Sequence, residues 1–364
     1  MREVCLPDLE SGQGFPEDDM PNSLDLLREQ ANWTRFRAGQ TAGHYESFFQ
    51  RANHPSRPLA FWIRYTLFSP RGQPQQAVGE LWAIVFNGET GRQTVVRQAL
   101  PMARCHFDPA RFNIQIGDAH LGPGQLLGSA AGADHTIAWD LAFAGDAAPL
   151  FLLPAELYAA GFPKAKSLVA LPMACYNGTI AVDGQLIQIE NWIGSQNHNW
   201  GSQHTDDYAW GQVAGFDTHP DSFLEVASAR LRLGPLWAPP LTPLVLRHEG
   251  REIALNSLRQ TLRAHSSRHD FVWRFRSETG GLCVEGVISA PREDFVALRY
   301  DNPPGGSKLC LNSKLAACKL TVTDRQAGRG AAPQTLACRQ RAAFEILTDD
   351  RPPSDVRLEA GHAL

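Results

Sequence analysis

From Gly43 onward the chain is a succession of short aromatic and β-branched runs separated by Gly, Pro, Asn and Asp. HYESFFQRAN, LAFWIRYTLFS and AVGELWAIVFN follow one another, with the breaks NHPSRP and SPRGQPQ between them. TVVRQAL, RFNIQIG, TIAWDLAF, SLVALPMA, YNGTIAVDG and GQLIQIEN continue the pattern. Aromatic and β-branched residues suit a pleated surface, and the breaking residues end strands. Between Ala38 and Glu190 only PAELYAAG, near Ala155–Ala160, reads as helical. Many short strands at regular spacing indicate an antiparallel barrel or sandwich. In LAFWIRYTLF, Phe61, Ile63, Tyr65 and Leu67 share one face, and Trp62, Arg64, Thr66 and Phe68 share the other. Neither face is purely polar, as expected of a barrel wall between an interior and a covering layer. NGTIAVDGQLIQIE predicts a hairpin, two alternating runs joined by Asp183-Gly184 in a type I′ turn.

The second half has the same texture. DSFLEVASARLRL, a Pro-rich break (GPLWAPPLTP), LVLRHEG, REIALNSLRQTLRA, DFVWRFRSETGG, GLCVEGVISA, FVALRYDNPPGG, KLCLNSKLAACKLTVTD and RAAFEILTD all read as strands or strand pairs. A chain of 364 residues has room for two domains, each with its own core. The expectation is an all-β protein of two β domains packed together. It divides as a flexible N-terminal segment (1–37), a first barrel (38–200), a second barrel (201–350) and a loose tail (351–364). Residues 1–22 are rich in Gly, Pro and acidic side chains and show no periodicity. Ser23 to Arg28 predict one short helix with Ser23 as its cap.

A net charge of −4 with scattered Arg gives no global attraction to nucleic acid or anionic membrane. The nine Trp lack the basic interleaving of a nucleic-acid binder. Seven Cys, widely spaced and without CxxC, argue against a disulfide framework or zinc site and for thiols in a reducing compartment. The polar, acidic N-terminus lacks the basic and apolar regions of a signal peptide, and no run reaches the length of a membrane span. A cytoplasmic protein without an integral membrane segment is expected. GxSxG, HExxH and GxGxxG are absent, and Asp301 to Gly306 (DNPPGG) read as a barrel loop rather than a phosphate loop. No cofactor is expected.

Ile189–Asp217, IENWIGSQNHNWGSQHTDDYAWGQVAGFD, concentrates three Trp, two His, the adjacent Asp206 and Asp207 and a Tyr near the junction of the two halves. Large aromatics with a few polar groups suit a small-molecule pocket, and equally a polar network braced between barrels. His198 and Trp200 lie two apart and share a strand face, so His198 can hold a substrate and pass a proton, or bond backbone and brace the junction. Asp206, Asp207 and His204 form a proton relay or a solvated loop. Tyr208, Trp210 and Gln212 share a face that lines a cavity or packs against the second barrel. Trp192 and Asn199 complete the binding candidates. The His and Asp spacing matches no zinc pattern, and no metal is expected. Tyr45, Glu46 and Trp62 face one interior in one reading, with Glu46 a second candidate acid; in the other, Glu46 is an exposed partner of Arg51.

Three pieces resemble a known superfamily. They are the hairpin Asn177 to Gly184, the motif His198-Asn199-Trp200-Gly201, and the strand Tyr208-Ala209-Trp210-Gly211-Gln212, in that order and spacing. Together they resemble the lipocalin-like superfamily of AttH-type proteins, carotenoid 1,2-hydratase (hydroxyneurosporene synthase), tocopherol cyclase and certain fungal Diels–Alderases, over roughly residues 40–350. The resemblance implies two lipocalin-like (calycin) antiparallel β-barrels packed together around a hydrophobic ligand cavity. It places the hydratase His and Trp on His198 and Trp200. The family's downstream Tyr-x-Asp strand reads Ser222-Phe223-Leu224-Glu225-Val226-Ala227 here, with Glu225 its one ionisable residue.

The functional expectation is binding of a hydrophobic small molecule (isoprenoid, polyketide or lipid-like), with cofactor-free hydration or cyclisation in the hydratase or cyclase manner. His198 with Asp206 or Asp207 would act as acid/base. The alternatives are a non-catalytic carrier or sensor, and a structural protein whose barrels are filled by their own side chains. The oligomeric state stays open.

Overall fold

The structure is a computed structural model that describes residues 23–325, 332–349 and 357–358. Two antiparallel sheets account for nearly all of it. The first is built from β1 (His44–Asn53), β2 (Leu59–Ser69), β3 (Val78–Asn87), β4 (Arg92–Pro101), β5 (Cys105–Phe107), β6 (Ile114–Ile116), β7 (Ala119–Gly122), β8 (Gln125–Ala131), β9 (Thr136–Ala144), β10 (Leu150–Phe151), β11 (Ala165–Val182) and β12 (Gln185–Gly201). Its order is β4-β3-β2-β1-β12-β11-β9-β8-β7-β6-β5, with β10 on β11. The sheet curls until β4 returns against β8, where Ala131 N donates to Gln98 Oε1 at 3.2 Å, so the barrel is nearly closed.

The second sheet contains β13 (Asp207–Ala214), β14 (Phe223–Arg230), then β17 (Leu244–His248), β18 (Arg251–Leu255), β19 (His265–His269), β20 (Val272–Thr279), β21 (Leu282–Ser289), β22 (Val296–Asp301), β23 (Ser307–Asp324) and β24 (Gln334–Thr348). Its order is β18-β17-β14-β13-β24-β23-β21-β20-β19, with β22 on β23. Between β14 and β17, β15 (Arg232–Leu233) and β16 (Leu236–Trp237) form a separate two-stranded hairpin. The fold is therefore two lipocalin-like antiparallel barrels packed together. Among the described residues no helix is long and apolar enough to cross a membrane.

Period-two alternation explains the packing. On β2, Phe61, Ile63 and Tyr65 enter the first barrel with Leu81, Trp139 and Tyr176. Trp62 on the opposite face joins Trp82, Phe86, Leu298, Leu315 and Leu347 between the barrels. Leu224, Val226, Trp273, Phe275, Ile288 and Phe344 fill the second barrel. Each large apolar side chain buried in this way contributes about 2–3 kcal/mol, so the interface is a core in its own right.

The hairpin Asn177 to Glu190 forms as expected, with Val182 opposite Gln185 and positive φ at Asp183 (51°) and Gly184 (82°), the type I′ signature. SLVALPMA and YNGTIAVDG, which read as separate strands, are one strand, β11, because bulges between Val169 and Gly178 absorb the breaks. REIALNSLRQTLRA, read as strand, instead ends β18 at Leu255 and turns into a helix over Leu258–Arg263. Ser257 and Gln260 make the reciprocal capping box that starts that helix.

The predicted N-terminal helix spans Ser23–Ala31, with Ser23 as its first residue. Residues 23–37, expected to be flexible, are anchored to the first barrel. Arg28 donates to Ala147 O (Nε 3.1 Å, Nη2 3.0 Å), and Asn32 Nδ2 donates to Gln196 Oε1 at 3.0 Å. Residues 1–22 lie outside the described residues. Of the tail, Arg357–Leu358 is described, and it adds a short strand, β25, parallel to β22.

Candidate functional site

The aromatic stretch runs along β12, crosses at Ser202 to Asp206, and continues on β13, so one half belongs to each barrel. Alternation then sorts its side chains. Trp192 lies in the first barrel's core, stacked on Phe61. His198 and Trp200 point to the same side, with ring centroids 4.7 Å apart. Ser195 and Asn197 face the second barrel, where both bond Gln212. Asn199 shares their face. Tyr208, Trp210 and Gln212 face the first barrel from β13, while Ala209 and Val213 enter the second barrel's core. Two separate polar centres result.

The first centre lies inside the first barrel, beneath the N-terminal segment. Register places Phe48 of β1 opposite His198 of β12, and their rings stack at 4.2 Å. Glu46, two residues along β1, reaches His198 Nε2 at 2.8 Å and His44 Nε2 at 2.9 Å. Its carboxylate also accepts from Arg35 N at 2.7 Å and Phe36 N at 2.9 Å. Burial pushes this acid up, but the hydrogen bonds and charges of His198 and His44 outweigh it and hold Glu46 at about 2. His198 Nδ1 lies 2.7 Å from Ala31 O. Both ring nitrogens of His198 therefore sit opposite oxygen acceptors, a carbonyl and a carboxylate. Glu46 is fully buried, and Arg51 points the opposite way into the barrel interface. This corrects both expectations for Glu46. It is no exposed partner of Arg51, and it faces away from Tyr45 and Trp62, which look toward the second barrel.

The second centre lies between the barrels. Gln212 is its hub: Oε1 accepts from Arg51 Nε at 2.7 Å and Ser195 Oγ at 2.6 Å, and Nε2 donates to Asn197 Oδ1 and Glu225 Oε2, both at 2.8 Å. Trp210 Nε1 donates to Glu225 Oε1 at 2.8 Å. β14 supplies Glu225 directly opposite Gln212. Burial pushes the Glu225 carboxyl up to about 7, against the hydrogen bonds from Trp210 and Gln212 and the charge of Arg51. Arg51 is itself pulled down by burial, to about 10. Beyond Trp210, Lys314 Nζ pairs with Glu345 at 2.8 Å and lies 5.5 Å from the Trp210 ring centroid. Tyr208 OH donates to Glu345 at 3.5 Å.

The remaining candidates stand apart from His198. Asp207 pairs with Arg268 at 2.9 Å. Asp206 Oδ2 accepts from Arg232 N at 2.8 Å, and Lys308 donates to its carbonyl at 3.1 Å. Both are held by partners on strands of the second half, Arg268 of β19 for Asp207 and Arg232 of β15 and Lys308 of β23 for Asp206, so the expected grouping of His198 with Asp206 or Asp207 does not form. His204 stacks on Tyr45 at 4.0 Å and contacts Asp301 O at 3.2 Å. Burial, with the charges of Arg64 and Lys308 beside it, lowers this imidazole to about 3, so it is neutral. Among the described residues no three His, Cys, Asp or Glu converge as metal ligands. Two surface cavities, of about 490 and 500 Å³, are lined by residues outside the aromatic stretch.

Two packed lipocalin-like barrels with a polar centre at their junction define the class of fold, and the chain has the fold of the AttH-type proteins. An AttH-like protein from Nitrosomonas europaea superposes with a TM-score of 0.55 at 13% identity, covering 93% of this chain and 99% of that one. Kievitone hydratase from Nectria haematococca and CghA with Sch210972 both give 0.49, at 9% and 11% identity, over 84% and 88% of this chain and 88% and 90% of theirs. Uncharacterized proteins from two Mycobacterium tuberculosis strains, CDC 1551 and H37Rv, are 25% identical over 285 residues, 78% of this chain and 83% of each relative. No protein-family model matches the chain. A shared fold hosts many chemistries, so function is argued from the site.

Proposed function

We propose that the chain binds a hydrophobic small molecule, isoprenoid, polyketide or lipid-like, between its barrels, and that Glu225 donates a proton to it in a cofactor-free hydration or cyclisation. The supporting observation is a dry carboxyl poised near neutrality against the indole edge of Trp210. A general acid works best when its pKa lies near the working pH. In this reading the Glu225 O–H bond breaks as its proton bonds an alkene carbon. The cation formed is captured by water or by an internal double bond, and the surplus proton returns to the Glu225 carboxylate. Trp210 and Tyr208 border the cation, where ring faces favour positive charge. His198 holds the N-terminal segment in place, and Asp206 and Asp207 take no part in proton transfer.

The test is native mass spectrometry of the wild type and of Glu225→Gln, purified from cells of the protein's own host and then extracted with organic solvent. The expected result is a hydrated or cyclised hydrophobe with the wild type and its unreacted precursor with Glu225→Gln. The same unaltered hydrophobe on both would make the protein a carrier. Two empty proteins, whose Trp fluorescence ignores a panel of isoprenoid alcohols and fatty acids, would overturn the reading altogether.

A further inference from the structure

One rim of the second barrel carries apolar side chains that the fold leaves in water. The β15–β16 hairpin extends neither barrel sheet, and its turn residue Gly234 has φ 62°. Leu236 is 71% exposed and Trp237 37% exposed. The guanidinium carbons of Arg230 and Arg232 lie 4.7 and 5.0 Å from the Trp237 ring centroid. At the hairpin's base Ala229 bridges Leu241, and the adjoining Thr242 N donates to Thr261 O of the Leu258–Arg263 helix, so that helix borders the hairpin. On it Leu258 and Leu262, one turn apart, are 67% and 49% exposed, beside the exposed Arg259 and Arg263.

We infer that this rim docks on an anionic phospholipid bilayer. Charge complementarity carries the choice of occupant. Neither residues 230–248 nor residues 253–269 contain an Asp or Glu, although the whole chain has net charge −4. Arg guanidinium groups meet lipid phosphates, while a Trp ring and Leu side chains settle at the boundary between headgroup and acyl chain. The Arg side chains stacked on Trp237 hold both kinds of contact in one place. Among the Trp of the described residues, Trp237 is the one in the exposed class. The inference stands independently of Glu225.

The full chain is mixed with vesicles of phosphatidylcholine alone, or of phosphatidylcholine with phosphatidylglycerol, at about 50 mM salt, where screening is weak. Co-sedimentation with the anionic vesicles and a blue shift of Trp emission are expected. Trp237→Phe removes the shift. Arg230→Gln with Arg232→Gln, or Leu236→Ser, weakens binding by about tenfold or more without altering the thermal midpoint, because these side chains are exposed. Absence of co-sedimentation, binding that ignores these substitutions, or a concentration-dependent dimer that Leu236→Ser abolishes in a protein that binds no vesicle would each overturn it.

Discussion

Replacing Glu225 by Gln separates the ionisation of this acid from its packing. Burial raises Glu225 from an ordinary 4.5 to about 7. In the unfolded chain the proton leaves near 4.5, whereas in the folded protein it stays until about 7. Between these values the folded state holds more protons, so stability falls as pH rises. The difference of about 2.5 in pKa corresponds to on the order of 3 kcal/mol, lost progressively across that window and fully lost above it. The substituted glutamine does not titrate. Its carbonyl accepts from Trp210, while its amide nitrogen meets Gln212 Nε2, also a donor. That mismatch costs about 1–3 kcal/mol at every pH. The variant is therefore less stable than the wild type near pH 4, and the gap closes by on the order of 3 kcal/mol toward pH 8.5. Urea unfolding followed by Trp fluorescence at a series of pH values measures it. A gap that stays constant with pH would refute the reasoning, because Glu225 would then ionise as it does in the unfolded chain.

The centre beneath the N-terminal segment responds in the opposite sense. Glu46 is lowered from 4.5 to about 2, so its contribution, on the order of 3 kcal/mol, is present above about 4.5 and is lost as pH falls toward 2. Acid titration of folding should show this loss in the wild type and not in Glu46→Gln. His198→Ala leaves Glu46 buried without its nearest side-chain partner and should cost about 1–3 kcal/mol, with faster amide exchange over residues 31–36. Gly194→Ala tests the close approach of β12 to β1, since a Cβ there runs into the Arg51 carbonyl oxygen. A loss of about 4 kcal/mol or more in urea unfolding is expected.

Local periodicity made much of the fold legible. LAFWIRYTLF separates its faces because strand side chains alternate, and Asp183-Gly184 marks its hairpin because both positions need positive φ. The site was harder to read because its partners are non-local: Glu46 and His198 are 152 residues apart. The resemblance singled out β12 and β13 but not the direction each face takes. Glu46 reads as a solvent-facing acid only if β1 has a wet face, and β1 is buried on both. In such a strand every charge needs a partner inside the protein, and Glu46, Arg51 and Arg64 all have one. The Ser257 and Gln260 capping box was legible too, but the alternating run REIAL drew the strand reading past it.

Two buried carboxylates in one chain are driven in opposite directions, and the donors they meet explain why. Glu46 accepts from two backbone amides and meets two His rings, so the anion is better solvated by the protein than burial can offset. Glu225 meets two neutral donors, an indole and an amide. Its nearest cation, Arg51, directs Nε to Gln212 and Nη1 to Asn53. Desolvation therefore wins at Glu225 and loses at Glu46. A carboxylate held at about 2 has no proton to give near neutrality, whereas a carboxyl near 7 can both give and take. The conspicuous His198 ties β12 to Glu46 of β1 and to Ala31 of the N-terminal segment. Glu225, between the barrels, is the buried carboxyl of the two that burial drives toward neutrality.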